Sequence, residues 1–367
     1  MRISLIEKRE NFSEVLESSL KSNTFIDVSS QKKTVYYVHK YLNFVATKEL
    51  STTVFQPLVN EYSSAIKWWK KFLQYAYVNI SISKIFRARF SQNSLLLPTA
   101  YSDYLILGGN HRIRLFSSDL VYSTVILKVG EQNKFISNDI YCRTTYKLRY
   151  SPQIIDYGVD WIKEEYFNGT PINRISNFRS NDLRPIIQTH FEGLINPSST
   201  TVSLNAFRHM VLDEVNEILH NPKIKLSEQL QKSISLRFDA LFENVKSKDI
   251  LTSWSHGDFQ HANILMNKSK TINVIDWEAA SRRFKFYDVY TLISAIRTEL
   301  PLTQVFDKIQ NEVSRLSLNI PFNKEYFVLF LIEELRFYIN EEFCENYFET
   351  GRKTIHLCEQ ISYYLNE

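Results

Sequence analysis

The feature that most constrains this chain is the stretch SHGDFQHANILMNKSKTINVIDWEAA, residues 255–280. It places two carboxylates and an amide, those of Asp258, Asp276 and Asn263, beside two short apolar segments that have the pattern of buried strands. Because an unpaired charge is costly to bury, these side chains need partners. A structural hydrogen-bond network and a metal site are the two interpretations that this stretch leaves open.

The spacing of these residues resembles the catalytic segment of the aminoglycoside phosphotransferase and choline kinase family. That family is the small-molecule branch of the protein-kinase-like fold, and its pattern is H-G-D-x-x-x-x-N, a short strand, a turn, and a strand ending in I-D-W or I-D-F. Here the pattern is matched by His256, Gly257, Asp258, Asn263 and Asp276. The resemblance covers roughly residues 104–300.

The resemblance implies transfer of the γ-phosphoryl group of ATP to a hydroxyl, with Asp258 as the catalytic base. The chemistry of the residues agrees, since a carboxylate on a loop can accept a hydroxyl proton. The oxygens of Asn263 and Asp276 suit Mg²⁺, whose remaining ligands are phosphates and water. Glu278 would point the same way as Asp276 on a strand and could reach a second metal. His256 is expected to be structural, bonding to backbone near the loop.

The pattern of the surrounding segments predicts an α+β arrangement of two lobes, and the resemblance implies that it is the bilobal protein-kinase-like fold with a nucleotide-binding N-lobe. Residues 101–170 read as five short strands with one helix, FISNDIYCRTTYKL, and form a nucleotide-binding N-lobe. Residues 171–367 carry helical apolar spacing, as in LNAFRHMVLDEVNEILH, and form a C-lobe that contains the catalytic and metal-binding stretch. Residues 1–100 lie outside the resemblance and are interpreted as an N-terminal extension that is basic and aromatic.

The resemblance also implies nucleotide contacts in the N-lobe. Lys128 in VILK matches the family's third-strand lysine, which contacts the α- and β-phosphates. The family pairs this lysine with a helix glutamate; the matching helix offers Asp139, and Glu131 is the alternative. Two further segments match the phosphate-covering loop and the adenine-binding hinge, namely Gly108, Gly109 and Asn110, and Glu165, Tyr166 and Phe167.

The acceptor stays open at this point. The ending D-W-E, with no D-F-G, argues against a kinase that acts on peptides. An acidic segment could bind a polycationic aminoglycoside, although acidic helices are usually solvated faces; its glutamates are Glu333, Glu334, Glu341, Glu342, Glu345 and Glu349. The basic, aromatic N-terminal region favours instead an anionic or membrane-associated acceptor such as a glycan or lipid-linked sugar, and our choice is a sugar or glycan-related hydroxyl. The alternatives are an aminoglycoside-type or choline-like kinase and, in another class, a nucleotide-binding pseudokinase or scaffold.

Residues 62–102 contain no acid but several basic residues: Lys67, Lys70, Lys71, Lys84, Arg87 and Arg89. In AIKWWKKFLQYAY the basic and aromatic residues alternate at helical spacing. Our interpretation is a helix that packs Trp68, Phe72 and Tyr75 onto its own domain and leaves the lysines in water. The alternative is a patch that contacts an anionic surface. Nucleic acid is not expected, because the basic residues are few and interleaved with apolar ones.

Cysteine usage and hydropathy predict a cytoplasmic protein. Cys142, Cys344 and Cys358 form no C-x-x-C pair and are too few for a disulfide framework. The first residues, MRISLIEKRENF, lack the apolar core of a secretory signal. No run approaches the ~18 apolar residues of a membrane span. Peripheral contact with the inner face of the membrane, through residues 62–102, is the further expectation.

Overall fold

The fold is described by a computed structural model that covers residues 15–26, 32–62, 68–109, 111–176, 178–224, 226–294, 296–297, 300–344, 347–348 and 351–366. The chain divides into two compact units. The first comprises Met1–Ile140, Ser151–Thr170 and Met266–Asn273, and the second comprises Tyr141–Tyr150, Pro171–Leu265 and Val274–Glu367. A sheet dominates the first unit and helices dominate the second, so the predicted α+β class with two lobes is confirmed.

An antiparallel sheet forms the centre of the first unit. Its strands are β1 Lys33–His39, β2 Phe44–Thr47, β3 Asn93–Pro98, β4 Tyr104–Gly108, β5 Arg112–Ser117, β6 Tyr122–Leu127, β7 Ile154–Tyr157 and β8 Trp161–Glu165. Over the described residues the strand order is β3-β1-β2-β4-β5-β6-β8-β7. The helices are α1 (residues 15–22), α2 Gln56–Tyr62, α3 Trp68–Ile82, α4 Arg87–Phe90 and α5 Lys134–Thr145, which ends in the second unit. Single 3-10 turns lie at Thr52–Phe55 and Thr99–Tyr101.

The sheet is larger than the sequence predicted. Strands β4–β8 and helix α5 are the five strands and one helix predicted for residues 101–170. Strands β1, β2 and β3 come from residues 33–98, which the sequence analysis assigned to an N-terminal extension outside the resemblance. β2 pairs with β4 through Val45 and Ile106, and β1 pairs with β3 from Lys33↔Pro98 onward. The first hundred residues therefore supply three strands of the same sheet.

Both faces of this sheet are covered, which explains the continuous apolar runs in its strands. Successive residues of a strand point to opposite faces. Ile106 packs into one apolar cluster with Leu16 and Leu20 of α1. Its neighbour Leu105 packs into a second cluster with Val78 and other residues of α2 and α3. A strand buried on both sides loses the alternation that marks a half-buried strand.

Helix α3 does not pack as the sequence suggested. Trp68 is 82% exposed, Phe72 66% and Tyr75 53%, so the interpretation that these side chains cover their own domain is wrong. Arg87 departs in the other direction, because it is buried and donates hydrogen bonds to backbone carbonyls, among them Leu50 O at 3.1 Å. It therefore belongs to the core of the first unit and not to a basic surface. Lys67 lies outside the described residues.

Helices make up most of the second unit: α6 Leu183–His190, α7 Asn196–Ser198, α8 Leu204–Leu219, α9 Glu228–Glu243, α10 Tyr287–Ser294, α11 Leu302–Arg315, α12 Lys324–Glu342 and α13 Arg352–Asn366. The helices predicted around residues 182–195, 204–220 and 226–245 are confirmed as α6, α8 and α9, with a π-helical turn at Phe191–Ile195 after α6. Over the described residues, no helix combines the length and apolar character needed to cross a membrane.

The remaining strands are short: β9 Thr170–Pro171, β10 Thr200–Ser203, β11 Asp249–Ser255, β12 Ile264–Met266, β13 Ile272–Val274, β14 Ser281–Phe284, β15 Phe343–Cys344 and β16 Tyr347–Phe348. Single 3-10 turns lie at Ile172–Arg174, Ser180–Asp182, His261–Asn263 and Trp277–Ala279. β11 pairs with both β10 and β14. This small antiparallel sheet fixes the point at which β11 ends, and the motif loop begins there.

Candidate active site

The motif loop starts directly after β11, at His256, and Gly257 gives it its shape. Gly257 has φ +82°, and a Cβ at this position would lie 2.0 Å from the carbonyl oxygen of Ala279. Only glycine tolerates both the positive φ and this close backbone approach. The loop and the segment near Ala279 are thereby held against each other.

Asp288 anchors the same loop from the first turn of α10. Its carboxylate accepts hydrogen bonds from Ser255 Oγ (2.6 Å), His256 N (2.7 Å) and Gly257 N (3.1 Å), and it contacts His190 Nε2 at 2.7 Å. Burial tends to raise the pKa of Asp288, but its hydrogen bonds and the nearby imidazoles lower it to about 2. A buried, ionised carboxylate therefore orders the loop before the catalytic candidate Asp258.

His256 has the contacts of a structural residue, as the sequence suggested. Its Nε2 lies 2.9 Å from the carbonyl oxygen of Ile275, and its Nδ1 accepts a hydrogen bond from Asp258 N at 3.2 Å. Both contacts are satisfied by a neutral imidazole that carries its proton on Nε2. Burial lowers the pKa of His256 to about 4, which favours this neutral form. The imidazole joins the Asp258 loop to the chain that leads to Asp276.

This burial predicts an acid sensitivity of the fold. The pKa of His256 is about 4 in the folded state and about 6.5 when unfolded, so the unfolded state binds the extra proton between these pH values. The free energy of unfolding should therefore fall by up to about 3 kcal/mol between pH 6.5 and pH 4. Urea denaturation at several pH values measures this. The variant His256→Asn should lack most of that slope; an unchanged slope would contradict the assignment. The pKa of His261 is also lowered by burial, which makes the variant a necessary control.

The Asp258 carboxylate is held by three side chains. Oδ2 accepts hydrogen bonds from Asn263 Nδ2 at 2.8 Å and from Gln260 Nε2 at 3.0 Å. Oδ1 forms an ion pair with Arg297 Nη1. The Asp258 side chain keeps 18% of its surface exposed. The carboxylate is thus fixed in one orientation on a side chain that is not fully buried, which suits a catalytic base.

Arg297 is a site residue that the sequence analysis missed. Its guanidinium lies over the ring of Phe337 at 3.8 Å from the ring centre, and Nη2 lies 3.5 Å from Glu334 Oε1. It therefore connects the Asp258 carboxylate to a buried carboxylate of α12. A single arginine just after α10, outside any motif, gives no signal in the sequence that would have identified this contact.

The two predicted metal ligands are brought together by the backbone. Ile275 N donates to the carbonyl oxygen of Asn263 at 2.9 Å, which places Asp276 next to the Asn263 segment. The side-chain nitrogen Nδ2 of Asn263 donates hydrogen bonds to Asp258. The side-chain oxygen Oδ1 of Asn263 is therefore the atom left for a cation. Asp276 has φ 69° and ψ 58°, the left-handed conformation that costs most residues about 1 kcal/mol or more. Residues held in such sparsely populated backbone conformations cluster at functional sites.

The sequence analysis assumed that Glu278 lies on a strand and could therefore reach a second metal, and that assumption is wrong. The prediction placed Asp276 and Glu278 on one face of a strand, but β13 ends at Val274. Asp276 is left-handed, and Glu278 lies in the 3-10 turn Trp277–Ala279. The alternation rule for strands does not apply there. A metal-binding role for Glu278 therefore stays a prediction without that support. Over the described residues, there is no cluster of three or more His, Cys, Asp or Glu side chains that could hold a metal.

The predicted nucleotide-binding residues lie in the first unit. Lys128 Nζ donates to the carbonyl oxygen of Gly109 at 2.7 Å. Asp139, 2% exposed, accepts from Arg112 Nη1 at 2.6 Å. Glu131 Oε2 lies 2.9 Å from His111 Nδ1. Arg112 and His111 were missed, and the pairing of Lys128 with either acid stays a prediction.

Two of the predicted hinge amides already have protein partners. Glu165 N donates to Gln153 O at 3.0 Å, and Tyr166 N donates to Val121 O at 2.9 Å. An adenine contact in this segment would have to use carbonyl oxygens or the amide of Phe167. Gly108 is the last residue of β4, and Asn110 lies outside the described residues.

The buried ion pair of Asp139 yields a stability prediction. Asp139→Ala removes the carboxylate from buried Arg112 and should lower the free energy of unfolding by about 3 kcal/mol. The matched control is Asp239→Ala, which removes an equally short contact, 2.6 Å to Arg208, from an exposed pair and should cost about 1 kcal/mol or less. Chemical denaturation of both variants measures the difference. Equal losses in the two variants would show that the buried Arg112 contact stabilises the fold no more than an exposed ion pair does.

The acidic helix α12 differs from both sequence interpretations. Glu333, Glu334 and Glu342 are buried, so they form neither a solvated face nor an open acidic pocket. Glu333 pairs with Arg283 and Arg336, each at 3.1 Å. The remaining two are also bonded, Glu334 to Tyr287 and Arg297, and Glu342 to the first backbone amides of α13. Glu345 and Glu349 lie outside the described residues.

The fold of this chain is similar to those of solved small-molecule kinases, although its sequence matches no known family. No family model and no curated protein matches the chain. Among solved structures, it is similar to an aminoglycoside phosphotransferase from Streptomyces rimosus, with 15% identity and TM-score 0.43 over 63% of this chain and 92% of that one. It is similar to the choline kinase LicA from Streptococcus pneumoniae, with 13% identity and TM-score 0.48 over 73% and 95%. A glucosamine kinase matches with 12% identity and TM-score 0.38 over 69% and 74%.

The first two structures belong to the enzyme groups that the motif resembles. The Streptomyces rimosus enzyme has also been solved with ADP and streptomycin, and LicA with AMP. A likeness at this level of identity and TM-score assigns neither an activity nor an acceptor to this chain.

Proposed function

We propose that this protein is an ATP-dependent phosphotransferase that moves the γ-phosphoryl group to a hydroxyl of a small molecule. The observation that carries the proposal is the arrangement around Asp258. Its carboxylate is oriented by Gln260, Asn263 and Arg297, and its side chain is only partly buried beside the Asn263–Asp276 segment. A carboxylate of fixed orientation next to two side chains that offer oxygen ligands is the arrangement that phosphoryl transfer to an alcohol requires.

Asp258 would act on the acceptor, and Asn263 and Asp276 would hold the metal. Asp258 would orient the acceptor hydroxyl and take its proton as the hydroxyl oxygen bonds to the γ-phosphorus; the bond from that phosphorus to the β–γ bridging oxygen breaks, and ADP leaves. One amide oxygen and one carboxylate are too few for a protein-only cage, but they fit Mg²⁺, which keeps phosphate and water ligands. Bound Mg²⁺ would neutralise charge on the phosphates. We propose Lys128, Asp139, Gly108, Gly109 and the hinge residues as the nucleotide contacts.

For the acceptor, we favour a neutral hydroxyl compound such as a sugar or glycan-related metabolite. The carboxylates of Glu333, Glu334 and Glu342 are already bonded within the second unit, so they offer little unpaired negative charge to a polycation. This argues against the aminoglycoside alternative. A choline-like acceptor would require an aromatic cage around its cationic group. Phe337, an aromatic residue beside the Asp258 site, already stacks on the guanidinium of Arg297, which argues against its use in such a cage.

The second candidate function is a nucleotide-binding scaffold without turnover. The ion pair with Arg297 favours it in one respect, because Oδ1 of Asp258 is engaged within the protein. Oδ2, however, is bound only by neutral donors, so it can still approach a hydroxyl. We also propose a cytoplasmic location, which is supported by Cys358 being a free, buried cysteine.

A screen of acceptors tests the activity. ADP release from Mg·ATP would be measured with neutral sugars, aminoglycosides and choline as separate classes, and with no acceptor as the baseline. Stimulation by a neutral sugar supports the proposal, and stimulation by the cationic classes alone would overturn the choice of acceptor. Tight binding of Mg·ATP with no stimulation by any class would favour the scaffold.

A further inference from the structure

Helix α3 presents a large apolar surface to solvent. Trp68 is 82% exposed, Phe72 66%, Leu73 58%, Trp69 46% and Ile80 44%. Ile85, just after the helix, is 80% exposed. Single exposed apolar residues are ordinary, but a contiguous group that includes two tryptophans marks a surface that binds a partner.

This surface is distinct from the face that anchors the helix. At about 100° per residue, five of the seven exposed aromatic and aliphatic side chains of α3 fall within an arc of about 140°, and the exposed Tyr75 and Tyr77 extend it to about 200°. The buried residues Val78, Ser81 and Ile82 fall in a separate arc of about 100° on the other side. Val78 and Ile82 join the apolar core of the first unit. Because α3 already packs one face into the core of the first unit, the exposed apolar arc is a second, solvent-facing surface.

The charges around the arc have one sign. Lys70 and Lys71 are exposed in the N-terminal half of α3 and lie outside the apolar arc, and Lys84 and Arg89 are exposed just beyond the helix. Residues 62–102 contain no Asp or Glu. Lysine side chains can extend along an apolar face and keep their ammonium groups at its polar border. The segment is an amphipathic helix with tryptophan, phenylalanine and leucine on one side and lysine on the other.

We propose that α3 docks this protein onto the surface of an anionic lipid bilayer. Tryptophan rings prefer the headgroup region of a bilayer, and lysines beside them bind anionic headgroups. Single-stranded nucleic acid fits less well, because the aliphatic Leu73, Ile80 and Ile85 offer no ring on which a base can stack. A protein groove would bury the apolar arc but gives no reason for the absence of acids. This inference is independent of the proposed kinase activity.

Co-sedimentation of the full chain with vesicles tests the proposal. One set of vesicles is phosphatidylcholine, and the other is an equimolar mixture of phosphatidylcholine and phosphatidylglycerol. We expect binding to the anionic vesicles that is at least about tenfold tighter than to the neutral ones and that weakens as salt is raised. Trp68→Ser/Phe72→Ser should reduce this binding at least about tenfold.

Two further variants separate the causes. Tyr157→Ser/Val159→Ser removes side chains of similar exposure, 53% and 70%, from another part of the first unit and should bind like the wild type. Lys70→Gln/Lys71→Gln should lose the preference for anionic vesicles and keep weak binding to both. Equal binding of Trp68→Ser/Phe72→Ser and the wild type would overturn the proposal. The proposal would also be overturned if the wild type formed a dimer that Trp68→Ser/Phe72→Ser converts to a monomer, because the apolar surface would then be covered by a second copy of the chain. Binding to single-stranded RNA without binding to vesicles would overturn it as well.

Discussion

Asp276→Ala is expected to abolish turnover and the metal-dependent part of nucleotide binding. In the proposed site, Asp276 is the charged ligand of Mg²⁺, and Asn263 supplies only a neutral oxygen. Without the carboxylate, the phosphates lose the cation that holds them and neutralises their charge. Calorimetric titration with a non-hydrolysable ATP analogue, with and without Mg²⁺, measures the loss directly.

The left-handed backbone of Asp276 determines the control. Alanine tolerates φ 69° poorly, so Asp276→Ala combines loss of charge with backbone strain. Asp276→Asn keeps the shape and the tolerance for this conformation and removes only the charge. Both variants should lose metal-dependent binding, and only the alanine variant should lose thermal stability. Binding of Mg·nucleotide by Asp276→Asn as tight as the wild type would remove Asp276 from the metal site.

Asp258→Asn should behave differently, with a fall in kcat of about 10²- to 10⁴-fold and nearly unchanged nucleotide affinity. Asparagine keeps the size of the side chain and one oxygen, but it cannot take the proton of the acceptor hydroxyl. Since Asp258 is not a proposed metal ligand, Mg·nucleotide binding should persist. Steady-state kinetics with the best acceptor, together with the same titration, separates kcat from affinity.

The environment of Asp258 supplies matched controls. Asp258→Asn also removes the ion pair with Arg297, so Arg297→Gln is needed to measure that contribution alone. Gln260→Ala removes one hydrogen bond to the same carboxylate and should lower kcat by less than about tenfold. An unchanged kcat in Asp258→Asn would exclude the base role. A loss no greater than that of Arg297→Gln would indicate that orientation, and not proton transfer, is the function of Asp258.

The local elements of the fold could be predicted from the sequence. Strands such as YLILG and RIRLF, and helices such as LNAFRHMVLDEVNEIL, have periodic patterns within a few residues. The membership of β1 and β3 in the sheet could not, because Lys33 pairs with Pro98 across a long separation in the chain. β2, FVAT, is buried along its whole length and shows no alternation.

The candidate site divides in the same way. Asp258, Asn263 and Asp276 lie within one motif, where fixed spacing identifies them. Arg297 and Arg112 contact their acidic partners from other elements, and no local pattern announces such contacts.

The acidic helix shows how composition alone can mislead. Its sequence suggested charge in water or in an open pocket, yet Glu333 is buried because Arg283 and Arg336 meet it in the fold. Burying a carboxylate is feasible only with such partners. Arg283 lies on another segment of the chain, and Arg336 lies on the same helix but forms a buried pair with Glu333 only because the helix itself is buried. A local sequence pattern shows neither. The error for Glu278 has another cause, since the left-handed Asp276 ends the strand on which the alternation argument relied.

Transfer of label from [γ-³²P]ATP tests the central claim most directly. The purified protein would be incubated with Mg²⁺, labelled ATP and each acceptor class, and the products separated into inorganic phosphate and organic phosphate esters. The account predicts label in a phosphate ester of a neutral hydroxyl compound, formed by the wild type and strongly reduced in Asp258→Asn. Label that appears only as inorganic phosphate, at the same rate in both proteins, would contradict it.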